Sequence, residues 1–431
     1  MKYWDQKFET MPQEELVKFQ GQKLQETVRW LYDRIPFYRK KLAEAGVSPE
    51  DIRSLEDLPR LPFTVKTDLR DNYPFGLCAV PMKELVRIHA SSGTTGKPIT
   101  GPYTAEDLDQ WAECMARTLY AQGVRSDDIC QNAYGMGLFT GGLGFYLGVQ
   151  KLGACLLPTG SGLTERQIML MKDFGSTALF CTPTYALTIA EKAEQMGADL
   201  RTYPLRVGSF GAEPWTVKMR EEIEERMGVT AHEAYGLTEM MGPGVGFSCE
   251  ARRLHLNEDH AYPEIVDPST LKPMPVGEKG ELVFTALRRR AMPLLRYRTR
   301  DITSLHRQTC ECGRTLVTME KILGRSDDML IISGVNVFPS QVEAVIMEFV
   351  EMEPQYQIRV SKKGYLDAIK VEAEAKPEVY GQGKDALIAL GKRVSARIHE
   401  VIGITAPVEI VTLGGIARSE GKAKRVIDER T

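Results

Sequence analysis

Several features are scarce or absent in this 431-residue sequence, and each absence excludes a class of protein. Neither sign of charge is in excess, since 55 basic and 58 acidic side chains leave a formal net charge of −3. This balance gives no reason to predict a surface for nucleic acid or membrane. No apolar run is long enough to span a bilayer, and the N-terminus lacks a basic segment followed by an apolar one. We expect a cytoplasmic protein with small-molecule partners.

Cysteine is also scarce, because eight cysteines in a chain of this length are too few for a disulfide framework. Five of them lie in apolar or mixed contexts. These five are predicted to be small core residues: Cys78, Cys114, Cys130, Cys155 and Cys181. The remaining three differ in their surroundings.

The segment TCECGRT places Cys310 and Cys312 one residue apart, followed by a glycine turn that can direct both sulfurs at one ion. Cys249 and His255, from FSCEARRLHL, would complete a tetrahedral site for structural zinc. Unligated thiols are the alternative. His260 is a substitute ligand, although its acidic neighbours favour an ordinary hydrogen-bonded histidine.

The pattern of apolar residues predicts the fold. Five short apolar runs between residues 104 and 235 alternate with helical patterns, and each ends near Gly or Pro: DICQNAYG, ACLLPTG, TALFCTP, LRVGSFGAE and VTAHEAYG. This alternation is typical of a mostly parallel sheet covered by helices. An amphipathic helix is predicted over residues 14–35, where a proline follows, and Pro and Gly turns between residues 262 and 305 indicate an antiparallel section.

After Arg325 the pattern begins anew. It predicts a helix over 339–349, a hairpin within 356–375, a helix over 384–402 and a strand near 407–413. We therefore predict the α/β class. A large N-terminal domain, residues 1–326, would carry helix-covered, mostly parallel sheets plus the antiparallel section, and residues 327–431 would form a small α+β C-terminal domain.

The segment SSGTTGKPIT, from Ser91 to Thr100, has the composition of a phosphate-binding loop. It is not a Walker loop, because its glycines are too close together and Pro98 stands where a magnesium-binding hydroxyl belongs. Two prolines favour an extended exit, which predicts strand, loop and second strand. Such a loop can hold phosphates with hydroxyls and backbone N–H groups. A plain surface hairpin is the alternative.

Four motifs occur in this order along the chain: SSGTTGKP, AYGLTEM, YRTRD and GRSDDMLIISGVNVFPSQVE. Together they resemble the adenylate-forming enzymes, and they are most similar to the phenylacetate–CoA ligase family over nearly the whole chain. The resemblance implies ATP-dependent activation of a carboxylic acid with release of pyrophosphate, followed by acyl transfer from AMP to coenzyme A. It also implies Mg²⁺, an aryl-acetic acid such as phenylacetate, and a homodimer.

The resemblance assigns residues in the large domain, the ATP- and acyl-binding one. The phosphate loop would consist of Ser91, Ser92, Gly93, Thr94, Thr95, Gly96 and Lys97. The backbone of Gly211, Ala212, Glu213 and Pro214 would run along adenine, with Tyr235 stacked on it beside Gly236, and with Asp301 and Arg325 at the ribose and phosphate groups. Thr238 would contact a phosphate oxygen and Glu239 would bind Mg²⁺.

Each of these residues, taken alone, also has a purely structural interpretation. Thr238 and Glu239 would suit a helix N-cap, Asp301 and Arg325 a surface ion pair, and the GAEP segment an ordinary turn between strand and helix.

Further assignments concern the acid and the mobile C-terminal domain. The aryl pocket would include Tyr134, Phe139, Gly141 and Gly142, for which a tightly packed glycine helix is the alternative. Lys422 of the small domain would act in adenylation, although Lys424 is close. Asp327 would be the hinge, and Ser333, Gly334 and Val335 would border the CoA channel.

Thiol attack on an acyl-adenylate needs no protein nucleophile, because AMP is already a good leaving group. Six scattered histidines agree with that expectation. Two alternatives remain open: an adenylating enzyme of the same architecture with another carboxylate or a non-CoA acceptor, and a non-catalytic, zinc-stabilised nucleotide-binding scaffold. The sequence does not choose among phenylacetate, indole-3-acetate, hydroxyphenylacetate and benzoate.

Overall fold

A computed structural model describes residues 2–91, 98–327, 330–332, 335–363, 366–419 and 423–430. Within these ranges no helix is both long and apolar enough to cross a membrane. The α-helices are, in chain order, α1 (Gln6–Glu9), α2 (Gln13–Arg34), α3 (Pro36–Glu44), α4 (Lys66–Asp71), α5 (Ala105–Ala121), α6 (Thr140–Leu152), α7 (Thr164–Asp173), α8 (Pro183–Gln195), α9 (Val217–Met227), α10 (Pro339–Ile346), α11 (Pro377–Tyr380) and α12 (Lys384–Ile402).

The strands are short, and most belong to the larger part of the chain. They are β1 (Arg87–Ala90), β2 (Thr100–Tyr103), β3 (Ile129–Asn132), β4 (Cys155–Leu157), β5 (Ala178–Cys181), β6 (Val207–Gly211), β7 (Thr230–Leu237), β8 (Gly242–Ser248), β9 (Leu254–Leu256), β10 (Ala261–Val266), β11 (Gly280–Ala286), β12 (Tyr297–Thr303), β13 (Leu305–His306), β14 (Thr318–Met319), β15 (Gly324–Arg325), β16 (Leu330–Ile332), β17 (Val335–Val337), β18 (Met352–Lys363), β19 (Leu366–Ala375), β20 (Val408–Ile410) and β21 (Val426–Asp428).

The largest sheet has nine strands in the order β13-β14-β9-β8-β7-β6-β5-β3-β4. The strands from β7 to β4 pair in parallel, and those from β7 to β13 pair antiparallel. One hydrophobic core includes residues of α5 and α6, and another includes residues of α7, α8 and α9. The predicted helix-covered parallel sheet is confirmed. Ligands of such sheets bind beyond the carboxyl ends of the parallel strands.

A second sheet of four antiparallel strands has the order β10-β11-β12-β15, as the turn pattern predicted. Its last pair sets Asp301 opposite Arg325. The strands β1 and β2 pair antiparallel on either side of the glycine-rich loop, in the predicted order of strand, loop and second strand. Ser91 closes the base of that loop, because its backbone N–H donates to the carbonyl of Ile99 and its hydroxyl accepts from the Ile99 N–H, at 2.9 and 3.0 Å.

The predicted N-terminal helix is α2, whose residues Leu24, Val28 and Leu31 lie in the main core. It ends before Pro36, as expected. Pro36 then starts α3 rather than a loop, since a proline at the first helical position has no N–H to lose.

The smaller part of the chain has a core of its own, with buried residues between Leu330 and Ala406. Its sheet has the order β20-β19-β18-β21, with an antiparallel central pair and a parallel strand at each edge. The helices α10 and α12 and the hairpin of β18 and β19 were predicted, but the edge strand β21 was not. It is three residues long and follows a polar segment, so no periodicity marks it.

The prediction that five cysteines lie in the core is wrong for two of them. Cys114, Cys130 and Cys181 are buried, whereas Cys155 is exposed and Cys78 is half-buried. Cys155 begins β4, which is the edge strand of the nine-stranded sheet, and the three residues of β4 are exposed or half-buried.

Candidate active site and candidate metal centre

Three of the motifs meet at the carboxyl end of β7. The Tyr235 hydroxyl donates a hydrogen bond to Asp301 Oδ2 at 2.6 Å, and Arg325 Nη1 lies 3.2 Å from Asp301 Oδ1. Asp301 is buried, so it is not a surface ion-pair residue. Burial, followed by the neighbouring carboxylate, raises the pKa of Tyr235 well above its ordinary value, so the phenol stays protonated. Arg325 also makes a bidentate pair with the exposed Asp327, with both distances 3.0 Å.

Thr238 and Glu239 lie in the turn that follows β7. No helix begins there, so the helix-cap alternative is wrong. The hydroxyls of Thr238 and Thr140 are 3.3 Å apart, which joins this turn to the start of α6. Burial, followed by the nearby Glu239 carboxylate, raises the pKa of the Tyr297 phenol well above its ordinary value.

Arg289 also contacts this turn, and the sequence did not point to Arg289 or Tyr297 as site residues. Its guanidinium donates to the carbonyl of Glu239 at 2.7 Å, to that of Met240, and to that of Pro102 at 3.3 Å. It therefore ties the turn after β7 to the strand that leaves the glycine-rich loop. The available signal was weak: Arg289 is the middle of three consecutive arginines, and Tyr297 opens the YRTRD motif.

The GAEP segment follows β6 at the same edge of the sheet. A Cβ at Gly211 would lie 2.1 Å from the carbonyl oxygen of Ala234, so only glycine fits there. Ala212 has a positive φ of 71° and is exposed, as is Pro214. The carboxylate of Glu213 accepts hydrogen bonds from the Thr184 N–H at 2.8 Å and from the Ala423 N–H at 3.0 Å. The side chain of Glu213 thus contacts the small domain.

The residues of the predicted aryl pocket divide into packed and exposed ones. Tyr134 is buried and stacks on Phe145 with ring centroids 5.0 Å apart. A Cβ at Gly142 would lie 2.6 Å from the carbonyl oxygen of Gly135, as in the alternative of a tightly packed glycine helix. Phe139, just before α6, is 39% exposed.

Gly141 and Gly236 are the remaining predicted residues of the large domain in this region. A Cβ at Gly141 would collide with the Phe139 ring. Several other predicted residues lie outside the described part of the chain. These are Ser92, Gly93, Thr94, Thr95, Gly96, Lys97, Ser333, Gly334 and Lys422. Val335 belongs to β17, where it pairs with Ile332.

Away from this edge, Cys249, His255, Cys310 and Cys312 form one buried cluster whose donor atoms all lie within 4.8 Å of one another. The sulfurs of Cys249 and Cys310 are 3.7 Å apart, and Cys312 Sγ is 3.4 Å from His255 Nε2. Two thiolates bound to one tetrahedral zinc are about 3.8 Å apart, given a Zn–S bond of ~2.3 Å. The spacing of this cluster therefore suits zinc.

The protonation of the cluster also suits a metal. His255 Nδ1 donates to the carbonyl of Leu316 at 3.0 Å, which leaves the lone pair of Nε2 directed at the sulfurs. The hydrogen bond with the neighbouring Cys249 thiol, which is the largest cause, lowers the pKa of the Cys312 thiol below its ordinary value. His260 is not part of this group. It pairs with Asp259, 3.3 Å away, as the ordinary interpretation predicted.

Comparison with protein families gives two matches. Residues 7–286 match the AMP-binding enzyme family, and residues 334–430 match the AMP-binding enzyme C-terminal domain. The phenylacetate-coenzyme A ligase of Thermus thermophilus is 48% identical over 98% of each chain. The protein of the same name from Escherichia coli K12 is 48% identical over 98% of this chain and 97% of its own.

Solved structures add the arrangement of the domains. A 2-hydroxyisobutyryl-CoA ligase in the postadenylation state, bound to 2-HIB-AMP, has a TM-score of 0.95 and 30% identity, covering 100% of this chain and 93% of that one. The same ligase with 2-HIB-AMP and CoA in the thioesterification state has a TM-score of 0.75, with 31% identity and the same coverage. The structure described here is therefore closer to the postadenylation arrangement than to the thioesterification arrangement.

Proposed function

This chain belongs to the phenylacetate–coenzyme A ligase family of AMP-binding enzymes, and from that membership we infer that it is an AMP-forming acid–thiol ligase. Such an enzyme joins a carboxylic acid to AMP with release of pyrophosphate and then transfers the acyl group to coenzyme A. We propose that the acid is an aryl-acetic acid and that phenylacetate is the preferred one. The relatives that match nearly end to end carry that substrate in their names.

The cluster of buried Tyr235 and Asp301 with the half-buried Arg325 is the observation that carries the proposal. A carboxylate fixed by a phenol and a guanidinium keeps its geometry without a ligand, so it can accept hydrogen bonds from a ribose without reorganising. The ring of Tyr235 would stack on adenine, along the backbone of the GAEP segment. This arrangement would orient the α-phosphate toward the bound acid.

Attack of a carboxylate on a phosphate is slow because both carry negative charge. The phosphate loop, residues 91–97, would bind the β- and γ-phosphates, and Thr238 would bind an α-phosphate oxygen. Glu239 is a buried carboxylate near Tyr297, and a carboxylate suits a hard cation, so we assign Mg²⁺ to it. A bound Mg²⁺ would neutralise part of the negative charge on the phosphates. Lys422 would add a cation from the small domain during adenylation.

The remaining roles concern the acid and CoA. Tyr134, Phe139, Gly141 and Gly142 would line the aryl pocket, and residues 333–335 would border the channel for CoA. The division of the chain between residues 326 and 327, with Asp327 as the hinge, would let the small domain present a different face for each half-reaction.

The test is a panel of carboxylic acids with ATP, Mg²⁺ and CoA, in which AMP, pyrophosphate and thioester are all quantified. We expect phenylacetate to give the highest kcat/KM, with equal amounts of AMP and thioester. Formation of ADP and orthophosphate would overturn the proposal. Acid-dependent pyrophosphate release without any thioester would instead favour an enzyme of the same fold with another acceptor, and no turnover with any acid would favour a nucleotide-binding scaffold.

We also propose that Cys249, His255, Cys310 and Cys312 hold a structural zinc ion. Four protein donors would fill a tetrahedral shell, so no position remains for substrate or water, and the site would stabilise the fold rather than act in catalysis. Its segment also holds the N-terminus: the Tyr3 hydroxyl donates to the Cys312 carbonyl at 3.0 Å, and Arg314 forms a buried pair with Glu9 at 2.7 Å.

Metal analysis of protein purified without added zinc tests this site. About one zinc per chain is expected, and Cys249→Ser should reduce it to near zero, whereas Cys155→Ser, at an exposed cysteine outside the cluster, should not. Protein that contains no metal and takes up none when zinc is added would refute the site.

Two further expectations follow from the family and the composition. We propose a homodimer, which light scattering of the purified protein would test. We also propose a cytoplasmic location, where reducing conditions would keep the eight free cysteines as thiols or metal ligands.

A further inference from the structure

Two described stretches of the small domain, residues 418–419 and 423–425, contact the large domain near the candidate active site. Arg418 makes a bidentate pair with Glu191 on α8, with Nε and Nη2 each 3.0 Å from a carboxylate oxygen. The same guanidinium makes a second bidentate pair with Glu374 on β19, at 2.8 and 2.9 Å. One arginine therefore joins a carboxylate of the large domain to a carboxylate of the small domain.

The two carboxylates differ in what else they hold. Glu374 is fully buried and also accepts hydrogen bonds from the backbone N–H groups of Gly414 at 3.1 Å and Ile416 at 2.9 Å. It fixes Arg418 to the small domain whatever the position of the large one. Glu191 is partly exposed and contacts Arg418 from across the domain boundary. Only the Glu191 pair has to break when the small domain rotates.

A second carboxylate of the large domain, Glu213, contacts the described stretch 423–425. Glu213 accepts one hydrogen bond from the N–H of Thr184, at the start of α8, and one from the N–H of Ala423. One oxygen of the Glu213 carboxylate therefore contacts the large domain, and the other contacts the small domain. The guanidinium of Arg425 lies beside them, 3.5 Å from the Thr184 hydroxyl.

We propose that Glu191 and Glu213 are positioning residues, and that together they form a latch that holds Arg418 and Ala423 in place for the adenylation step and opens before thioester formation. The inference rests on the proposed two-step function. The contacts belong to the arrangement that resembles a postadenylation state, and they join surfaces that a rotation of the small domain would separate. The latch therefore stabilises one of two arrangements and should not stabilise the other.

The decisive variant is Glu191→Gln, because it removes the charge that faces Arg418 and leaves Glu374 paired. Adenylation is measured as acid-dependent exchange between pyrophosphate and ATP, and the second step as thioester formation from synthetic acyl-AMP and CoA. We expect exchange to fall about fivefold in kcat, as loss of a partly exposed bidentate pair permits. The second step should stay within about twofold of the wild type or become faster.

Two further variants sharpen the comparison. Glu191→Lys places a like charge opposite Arg418 and should lower exchange by about tenfold or more, with the effect shrinking as salt is raised. The matched control is Glu348→Gln, which breaks a bidentate pair with Arg397 that lies wholly within the small domain. That variant should leave both half-reactions unchanged.

Equal losses in both half-reactions, or unchanged exchange in Glu191→Lys, would overturn the latch. A readout without turnover separates this outcome from failure of the proposed function. Fluorescence energy transfer between one label on each domain should report a longer mean distance in Glu191→Lys than in wild type with ATP bound. If wild-type protein adenylates no acid yet this distance shifts, Glu191 still holds the two domains together, and it is the proposed function that fails.

Discussion

The candidate nucleotide site and the Cys–His cluster are both assembled from distant segments, yet they are built in opposite ways. In the cluster, four buried donors face one another, and each finds its partner inside the group. At the nucleotide site, Tyr235, Asp301 and Arg325 support one another, while Ala212 and Pro214 beside them are exposed. The cluster is closed in all directions, and the nucleotide site is open on one side.

This difference matters because the two sites would serve different purposes. A closed set of ligands contributes its binding free energy to folding and offers no position for substrate. An open set that is fixed on one side can bind and release a ligand without unfolding, and its missing contacts can come from a second domain. The contact of Glu213 with Ala423 shows that the small domain reaches this open side.

Removal of Lys422 should show the largest effect on the open site. Lys422→Ala deletes a cation proposed to act only in adenylation, so exchange of pyrophosphate with ATP should fall by about 10²–10³ in kcat while zinc content stays constant. Lys424→Ala, at an exposed neighbouring lysine, is the control and should stay within about twofold. An unchanged exchange rate in Lys422→Ala, or a larger loss in Lys424→Ala, would contradict the assignment.

Removal of a ligand should affect the closed site in the opposite manner. His255→Ala should lose zinc and lower the free energy of unfolding by on the order of 3 kcal/mol, because metal binding would be coupled to folding. The KM for ATP of the folded fraction should stay within about threefold of the wild type. Metal analysis and thermal unfolding measure the first effect, and steady-state kinetics measures the second. A variant that keeps its zinc and its stability would show that the cluster is not the site.

A smaller effect is expected when the support of the proposed ribose site is weakened. Asp301→Asn keeps one acceptor oxygen but removes the charge that faces Arg325, so we expect the KM for ATP to rise about tenfold. The KM for the acid should change little. If both KM values rose together, Asp301 would be holding the fold of the site rather than the nucleotide.

The smallest effect should follow from Tyr235→Phe. This variant keeps the ring proposed to stack on adenine and removes one hydrogen bond to Asp301, so the KM for ATP should rise about threefold. Tyr235→Ala removes the ring as well and should cost clearly more. Equal effects of the two variants would mean that the hydroxyl, and not the ring, accounts for the contribution of Tyr235.

Particular residues show how far the sequence could be read. The parallel strands were predictable because each is a short apolar run between glycines or prolines, and the motif residues near β7 were found because their types suit phosphate and ribose. Arg289 and Tyr297 were missed, since their partners around Glu239 lie about 50 or more residues away in the sequence. Cys155 was misassigned because only the order of the strands makes β4 an edge.

The sequence by itself determined the class of fold, the motifs and the set of four metal donors, because periodicity and side-chain chemistry are properties of short segments. Tertiary structure alone decided which of those segments meet. It closed the sulfurs and the imidazole into one cluster, set Asp301 opposite Arg325, and brought Arg418 to Glu191 across the domains. Such contacts depend on strand order and domain packing. Both result from interactions along the whole chain, so they leave no local pattern in the sequence.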